Sequence, residues 1–319
     1  MAANPAGEAP AEITDLARER QQARVDRDFA AADALRDRIA DAGWVVTDTP
    51  DGFALAPRPP FDVRASLADL LVHGATVPSA RVGVGLIVDG WPDDARTCIE
   101  ALLAHTDAVV LALDCGNVDG AGLVVHELAS ANPDRVVELH VAQPLDAIGW
   151  AKATTALIEL DPSPAHAVMD MSTVLTGDAL TPLRLALDEP GVVGAGWQGA
   201  DVDIADEWRS VVAAGPGEVD VLLGYLMAVD REAALATPPN PKARFYRNAD
   251  LEWSLMLRAS GGRLVVPAVE LPARQDRHHG YHDSDPELRD RESKKTYDRI
   301  LQAFRRRPEI LRPREGSVS

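Results

Sequence analysis

Three apolar runs between residues 82 and 170 each end on an aspartate. Val82–Val88 stops at Asp89, the run from Asp107 to Leu113 stops at Asp114, and Ala167–Met169 stops at Asp170. Helical patterns lie between them, at Pro92–Ala104, Ala121–Ala131 and Ala147–Leu160, together with one further strand pattern, Arg135–Val141. Strands alternating with helices of this length predict a mostly parallel sheet with right-handed crossovers and helices on both faces. That α/β fold puts each terminal aspartate at the carboxyl edge of the sheet, where open sheets of this kind bind ligands.

The rest of the chain adds strands at Val192–Trp197, Val219–Val229 and Gly262–Pro267. It also adds helices at Ala179–Leu187, Ala249–Ser260 and Pro286–Phe304, and an irregular segment holding Asp201, Asp203 and Asp206. Ahead of the sheet, apolar spacing predicts two helices, Ile13–Asp26 and Phe29–Asp41, with Asp28 as N-cap and Gly43 as stop. Trp44–Thr47 and Phe53–Leu55 then form a hairpin across Thr49–Gly52. The expected organisation is a disordered lead (1–12), a helical hairpin with a β-flap (13–58), a linker with a short helix (59–80), the α/β domain (81–304) and a polar tail (305–319).

A net charge of −18 removes the excess of Lys and Arg on which phosphate-backbone binding depends. The same holds locally: residues 13–58 contain seven Lys and Arg against nine Asp and Glu, a net −2. Two cysteines, Cys98 and Cys115, give no disulfide framework. No apolar run is long enough to span a bilayer, and the first residues lack the basic and apolar parts of a signal peptide. A cytoplasmic protein is expected, without a membrane span, and a homo-oligomer is left open.

Residues 13–58 resemble the C-terminal end of cysteinyl-tRNA synthetases. Arg20-Gln-Gln-Ala-Arg24, Asp28, Ala32-Asp33, Leu35-Arg36-Asp37, Gly43 and Asp48-Thr-Pro-Asp-Gly52 carry the likeness. No catalytic part of a synthetase accompanies them. With its acidic balance, the module reads as a packing or dimer element rather than an RNA-binding one.

From 81 to about 304 the order of motifs resembles a family 2 glycosyltransferase with the GT-A fold. Asp114-Cys-Gly-Asn-Val-Asp119 matches the family's post-strand motif, with Asn117 where Ser is commoner, and Asp89 flanks the same pocket. The resemblance implies that Asp89, Asp114, Asn117 and Asp119 meet the nucleoside of a nucleotide-diphosphosugar donor. Lys152, in Gly149-Trp-Ala-Lys-Ala-Thr154, would reach its phosphates, although a lysine on a helix is more often simply solvated. Asp170-Met-Ser172 occupies the place of the Asp-x-Asp motif that holds Mn2+ or Mg2+, with Ser replacing the second acid. His278 or His279 would complete that site. Arg247-Asn-Ala-Asp250-Leu-Glu-Trp253 stands where the family has its base before a helix. Asn248, at the aligned position, accepts no proton, which leaves Asp250 as the base and Glu252 second.

The reading is therefore an inverting, divalent-metal-assisted glycosyltransferase of the hexosyltransferase type, acting on an unknown hydroxyl acceptor. Two rivals stand beside it. One is a catalytically degenerate GT-A domain that binds a nucleotide sugar or a partner, favoured by Ser172 and Asn248. The other is an RNA-associated accessory protein, suggested by residues 13–58.

Overall fold

Two helices form where the apolar spacing predicts them, α1 (Ala11–Val25) and α2 (Phe29–Asp41). The computed structural model describes residues 9–49, 51–275 and 285–314. Helix α1 begins two residues before the expected Ile13, because the Pro10 carbonyl accepts the Ile13 and Thr14 amides. Residues 11 and 12 therefore belong to the helix and not to the lead. Asp28 caps α2 by accepting the Ala31 amide at 3.0 Å. Gly43, at φ +81°, turns the chain into the antiparallel hairpin β1 (Trp44–Thr49) and β2 (Gly52–Pro57). Ile13, Leu16, Ala17, Ile39 and Val46 form the core of this part. Arg20 is buried beneath it and paired to both oxygens of Asp48 at 2.7 and 3.2 Å. The chain divides into two compact units, Met1–Asp62 and Val63–Ser319.

The larger unit opens with α3 (Leu67–His73) and then alternates. β3 (Val82–Val88), α4 (Pro92–His105), β4 (Val109–Cys115), α5 (Ala121–Ala131) and β5 (Val136–Val141) precede the single turn α6 (Leu145–Ile148), α7 (Trp150–Leu160) and β6 (Ala165–Met169). The helix expected over Ala147–Leu160 is broken at Gly149, whose φ of +89° no helix accommodates. After β6 come β7 (Thr173–Leu175), α8 (Leu180–Leu187), β8 (Val192–Gly196), β9 (Gly199–Val202), β10 (Val211–Ala214), β11 (Gly217–Val219), β12 (Val221–Leu222) and β13 (Leu226–Asp230). The unit closes with α9 (Arg231–Ala236), α10 (Ala249–Ala259), β14 (Arg263–Val266), β15 (Ala273–Gln275) and α11 (Pro286–Phe304).

Among the described residues, eight strands make the main sheet, in the order β11-β14-β8-β13-β6-β3-β4-β5. β6, β3, β4 and β5 run parallel, as do β8 and β14, whereas β13 is antiparallel to both its neighbours. Alternate residues of β4 face opposite sides: Val110 and Ala112 pack with α4 and α5, while Val109, Leu111 and Leu113 pack with α3 and α7. Coverage on both faces explains why these strands read as unbroken apolar runs.

The single strand expected over Val219–Val229 is three separate strands. Asp220 interrupts it, since its buried carboxylate accepts the Val202 amide at 2.9 Å and the Arg312 amide at 2.8 Å. Around that anchor the chain leaves the main sheet after β11, pairs through β12 with β9 in a three-stranded sheet, and returns as β13. The segment read as irregular around Asp201 belongs to that small sheet as the β9–β10 hairpin.

Candidate active site

Because β3 and β6 are parallel, their carboxyl ends lie at one edge of the sheet, and Asp89 and Asp170 follow directly. Antiparallel β13 brings its amino end to the same edge. The Tyr225 carbonyl there accepts the Asp170 amide at 3.1 Å and the Thr173 hydroxyl at 2.9 Å. The amino terminus of α10 adds Asn248 and Asp250. Asp89, Asp170, Asn248 and Asp250 thus line one cavity of about 270 Å³. Trp150, Tyr225 and Tyr246 supply aromatic wall, and Arg247 stands exposed among the lining residues.

Asp250 accepts the Gly224 amide at 2.8 Å and the Leu251 amide at 2.9 Å. A Cβ on Gly224 would make a tight contact there, 3.3 Å from the Asp250 Cβ. Burial pushes the Asp250 carboxyl up to about 6, the backbone amides opposing it. Asp89 is also raised to about 6, first by burial and then by the negative charge of Asp170. A carboxyl poised near 6 is ionised at neutral pH yet basic enough to take a proton.

Asp170 is held in a tight turn. Its Oδ1 accepts the Ser172 amide at 2.8 Å and the Ser172 hydroxyl at 2.5 Å, and Gln275 Nε2 donates to that hydroxyl at 2.9 Å. The two-stranded pairing of β7 with β15 sets this contact. His278 and His279 lie outside the described residues.

Other expected site residues stand elsewhere. Asp114 is fully buried off the cavity wall, accepting the Asn117 amide at 3.0 Å and facing His140 Nδ1 at 2.9 Å. It organises the turn in which Asn117 and Asp119 both take positive φ, and Gly122 makes room for its carboxylate. That turn leaves Asp119 exposed beside Gly90, with its Oδ2 3.6 Å from where a Gly90 Cβ would sit. Lys152 is exposed and absent from the cavity lining, because at 100° per residue it points away from Trp150 and Thr154. Glu252 is buried in a bidentate pair with Arg299 at 2.9 and 2.8 Å and accepts Asn240 Nδ2 at 2.9 Å. It ties α10 to α11 rather than facing the cavity. The sequence reading missed Tyr225, Tyr246, Thr154 and His166 as lining residues. His166 carried a signal, being the one strongly polar side chain in the buried strand β6.

Residues 6–53 match the family described as the cysteinyl-tRNA ligase anticodon binding domain. There the chain is 53% identical over 53 residues to a cysteine–tRNA ligase of Opitutus terrae, covering 17% of this chain and 12% of the ligase. It is 52% identical over 40 residues to that of a Nocardioides species, covering 12% and 8%. The chain thus spans about an eighth or less of the length of these relatives. In three dimensions it is similar to GalNAc-T7 with UDP, GalNAc and Mn2+ (TM-score 0.56, 12% identity, 69% of this chain and 48% of that one). It is also similar to the mannosyltransferase PcManGT from Pyrobaculum calidifontis in complex with GDP-Man and Mn2+ (TM-score 0.50, 15% identity, 79% and 75%). The fold is GT-A.

Both GT-A neighbours contain Mn2+. Among the described residues of this chain, no group of three or more His, Cys, Asp and Glu side chains is placed to hold a metal ion. Asp170 spends one oxygen on Ser172, and the third motif position offers only a hydroxyl already engaged by Gln275. The described residues do not by themselves make a metal site.

Proposed function

We propose that the GT-A unit transfers a sugar from a nucleotide-diphosphosugar to a hydroxyl acceptor, with inversion. One observation carries this reading: Asp89, Asp170 and Asp250, from three separate segments, line a single cavity at the carboxyl edge of the sheet. In this reading Asp250 takes the proton of the acceptor hydroxyl as its oxygen attacks the anomeric carbon and the bond to the diphosphate oxygen breaks. Its two backbone donors fix the carboxylate while leaving lone pairs for that proton. Asp89, with Asp119 at the neighbouring strand end, receives the nucleoside through its N–H and hydroxyl groups. Asp114 and Asn117 hold the turn that presents Asp119. Mn2+ or Mg2+ at Asp170 is a separate proposal, and the role given to Asp250 does not depend on it.

The test is a panel of UDP-, GDP- and dTDP-sugars, with and without Mn2+, read by thermal shift and by release of nucleoside diphosphate. Donor-dependent release in the wild type, abolished in Asp250→Ala, supports the reading; release that survives the substitution removes Asp250 as the base. The absence of any donor effect removes the reading itself. Donor binding without turnover would select a binding domain that has lost catalysis, which Ser172 and Asn248 favour. An RNA role for residues 13–58 has less support, because Arg20 and Arg24 are both committed to Asp48. Binding of tRNA with a steep salt dependence would restore it.

A further inference from the structure

The cavity continues inward from the three aspartates, along the face of the sheet beneath α7. Gly85 and Ile87 of β3, His166 and Val168 of β6, and Thr154 and Leu157 of α7 form this inner part. Two of these side chains are polar and almost wholly buried, His166 at 0% and Thr154 at 1% exposure. Neither His166 Nε2 nor Thr154 Oγ1 has a hydrogen-bond partner among the described residues, and the buried hydroxyl of Tyr246, also on the wall, has none there either. Among the described residues only five buried side-chain polar atoms are in that condition, and three of them face this cavity. Buried polar groups are otherwise satisfied almost without exception, so the concentration calls for an explanation.

The neighbouring structure holds these groups in place instead of satisfying them. His166 Nδ1 faces Asp161 Oδ2 at 2.7 Å, and Asp161 Oδ1 accepts the Ser163 amide at 2.9 Å. The Nδ1 N–H thereby donates a hydrogen bond to Asp161, which fixes the ring and leaves Nε2 turned to the cavity. Two glycines of β3 make room for the pair. A Cβ on Gly83 would lie 2.0 Å from Asp161 Oδ2, and one on Gly85 would lie 2.7 Å from His166 Nε2. Thr155, next along α7, bonds back to the Ala151 carbonyl at 2.7 Å, the usual way a helical threonine satisfies itself. Thr154 does not.

We propose that this inner end is a binding subsite for an uncharged, hydroxyl-bearing ring. His166 Nε2 accepts from one ligand hydroxyl, and the Thr154 and Tyr246 hydroxyls each donate or accept. An anionic group is disfavoured, since among the described residues no Lys or Arg lines the inner part and three aspartates line the cavity leading to it. Leu157, Ile87 and Trp150 suit the apolar edges of a ring. That the ring is the sugar of a nucleotide donor rests on the glycosyltransferase reading; that the floor binds hydroxyls does not.

The experiment is calorimetric titration of the full chain with UDP-, GDP- and dTDP-sugars and with the corresponding free nucleoside diphosphates, for wild type, Thr154→Val and Thr154→Ser. Thr154→Val removes an unpartnered hydroxyl at constant volume, so its melting temperature should be unchanged or higher. The expected result is an affinity for the sugar nucleotide about tenfold weaker in Thr154→Val. It should be restored in Thr154→Ser, with the free diphosphate bound equally by all three proteins. A donor bound equally well by wild type and Thr154→Val overturns the subsite and leaves the glycosyltransferase reading standing, as does an equal loss for free diphosphate. If no nucleotide or nucleotide sugar binds the wild type, the glycosyltransferase reading fails. The subsite is then decided by thermal shift with free monosaccharides. A shift lost in Thr154→Val and kept in Thr154→Ser supports it, and no shift with any monosaccharide overturns it.

Discussion

Asp89→Asn should make the protein more stable at neutral pH while weakening donor binding. The Asp89 carboxyl is raised from 3.8 to about 6, so between those values the folded state holds a proton that the unfolded chain has released. Stability contributed by this group therefore falls as pH rises from about 4 to about 6, and the penalty is complete above that. At about 1.4 kcal/mol per tenfold change in acid strength, the full penalty is about 3 kcal/mol. Solvent reaching the cavity reduces it, and roughly 1–2 kcal/mol is the expected gain on substitution. Asparagine is nearly isosteric, and among the described residues no side-chain hydrogen bond to Asp170 or to a basic residue is lost. Urea denaturation followed by Trp fluorescence suits the measurement, because five of the six tryptophans lie in the larger unit. The gain should appear above about pH 4, grow to about pH 6 and then stay level. A variant no more stable than wild type at pH 8, or a gain that does not change with pH, would refute the idea that Asp89 is held as a desolvated carboxylate beside Asp170.

Other substitutions separate chemistry from support. Asp250→Asn keeps an acceptor for the Gly224 amide and should lower kcat at least a hundredfold without unfolding the protein. In the wild type kcat/KM should rise with pH through an apparent pKa near 6, and a flat profile over pH 5–8 would exclude Asp250 as base. Arg299→Ala strips the Glu252 carboxylate of its bidentate partner and should cost about 3–5 kcal/mol in urea denaturation, with donor affinity of the folded fraction unchanged. Asp114→Ala removes the acceptor for Asn117 and one of the partners of His140, and should cost about 1–3 kcal/mol. Hydrogen exchange should then speed up at residues 116–120; a fall in donor affinity without such loosening would return Asp114 to the binding surface.

The alternating apolar runs, the aspartates that end them and the motif order were sufficient to fix the α/β class and a parallel half-sheet. They were also sufficient to place Asp89 and Asp170 at one edge, because strand direction follows from crossovers and side-chain period from the pleat. They did not separate an aspartate that faces solvent from one that braces a turn. Asp89 and Asp114 both end buried parallel strands, yet His140 on the neighbouring strand β5 captures Asp114 and leaves Asp89 to the cavity. The antiparallel insertion of β13, the break at Asp220 and the burial of Glu252 under Arg299 were equally out of reach. Each depends on a partner between 18 and 92 residues away in the chain. Local spacing records which face a residue shares with its near neighbours. Which distant polar group desolvates it, pairs with it or leaves it unpartnered in a cavity is settled only when the layers pack.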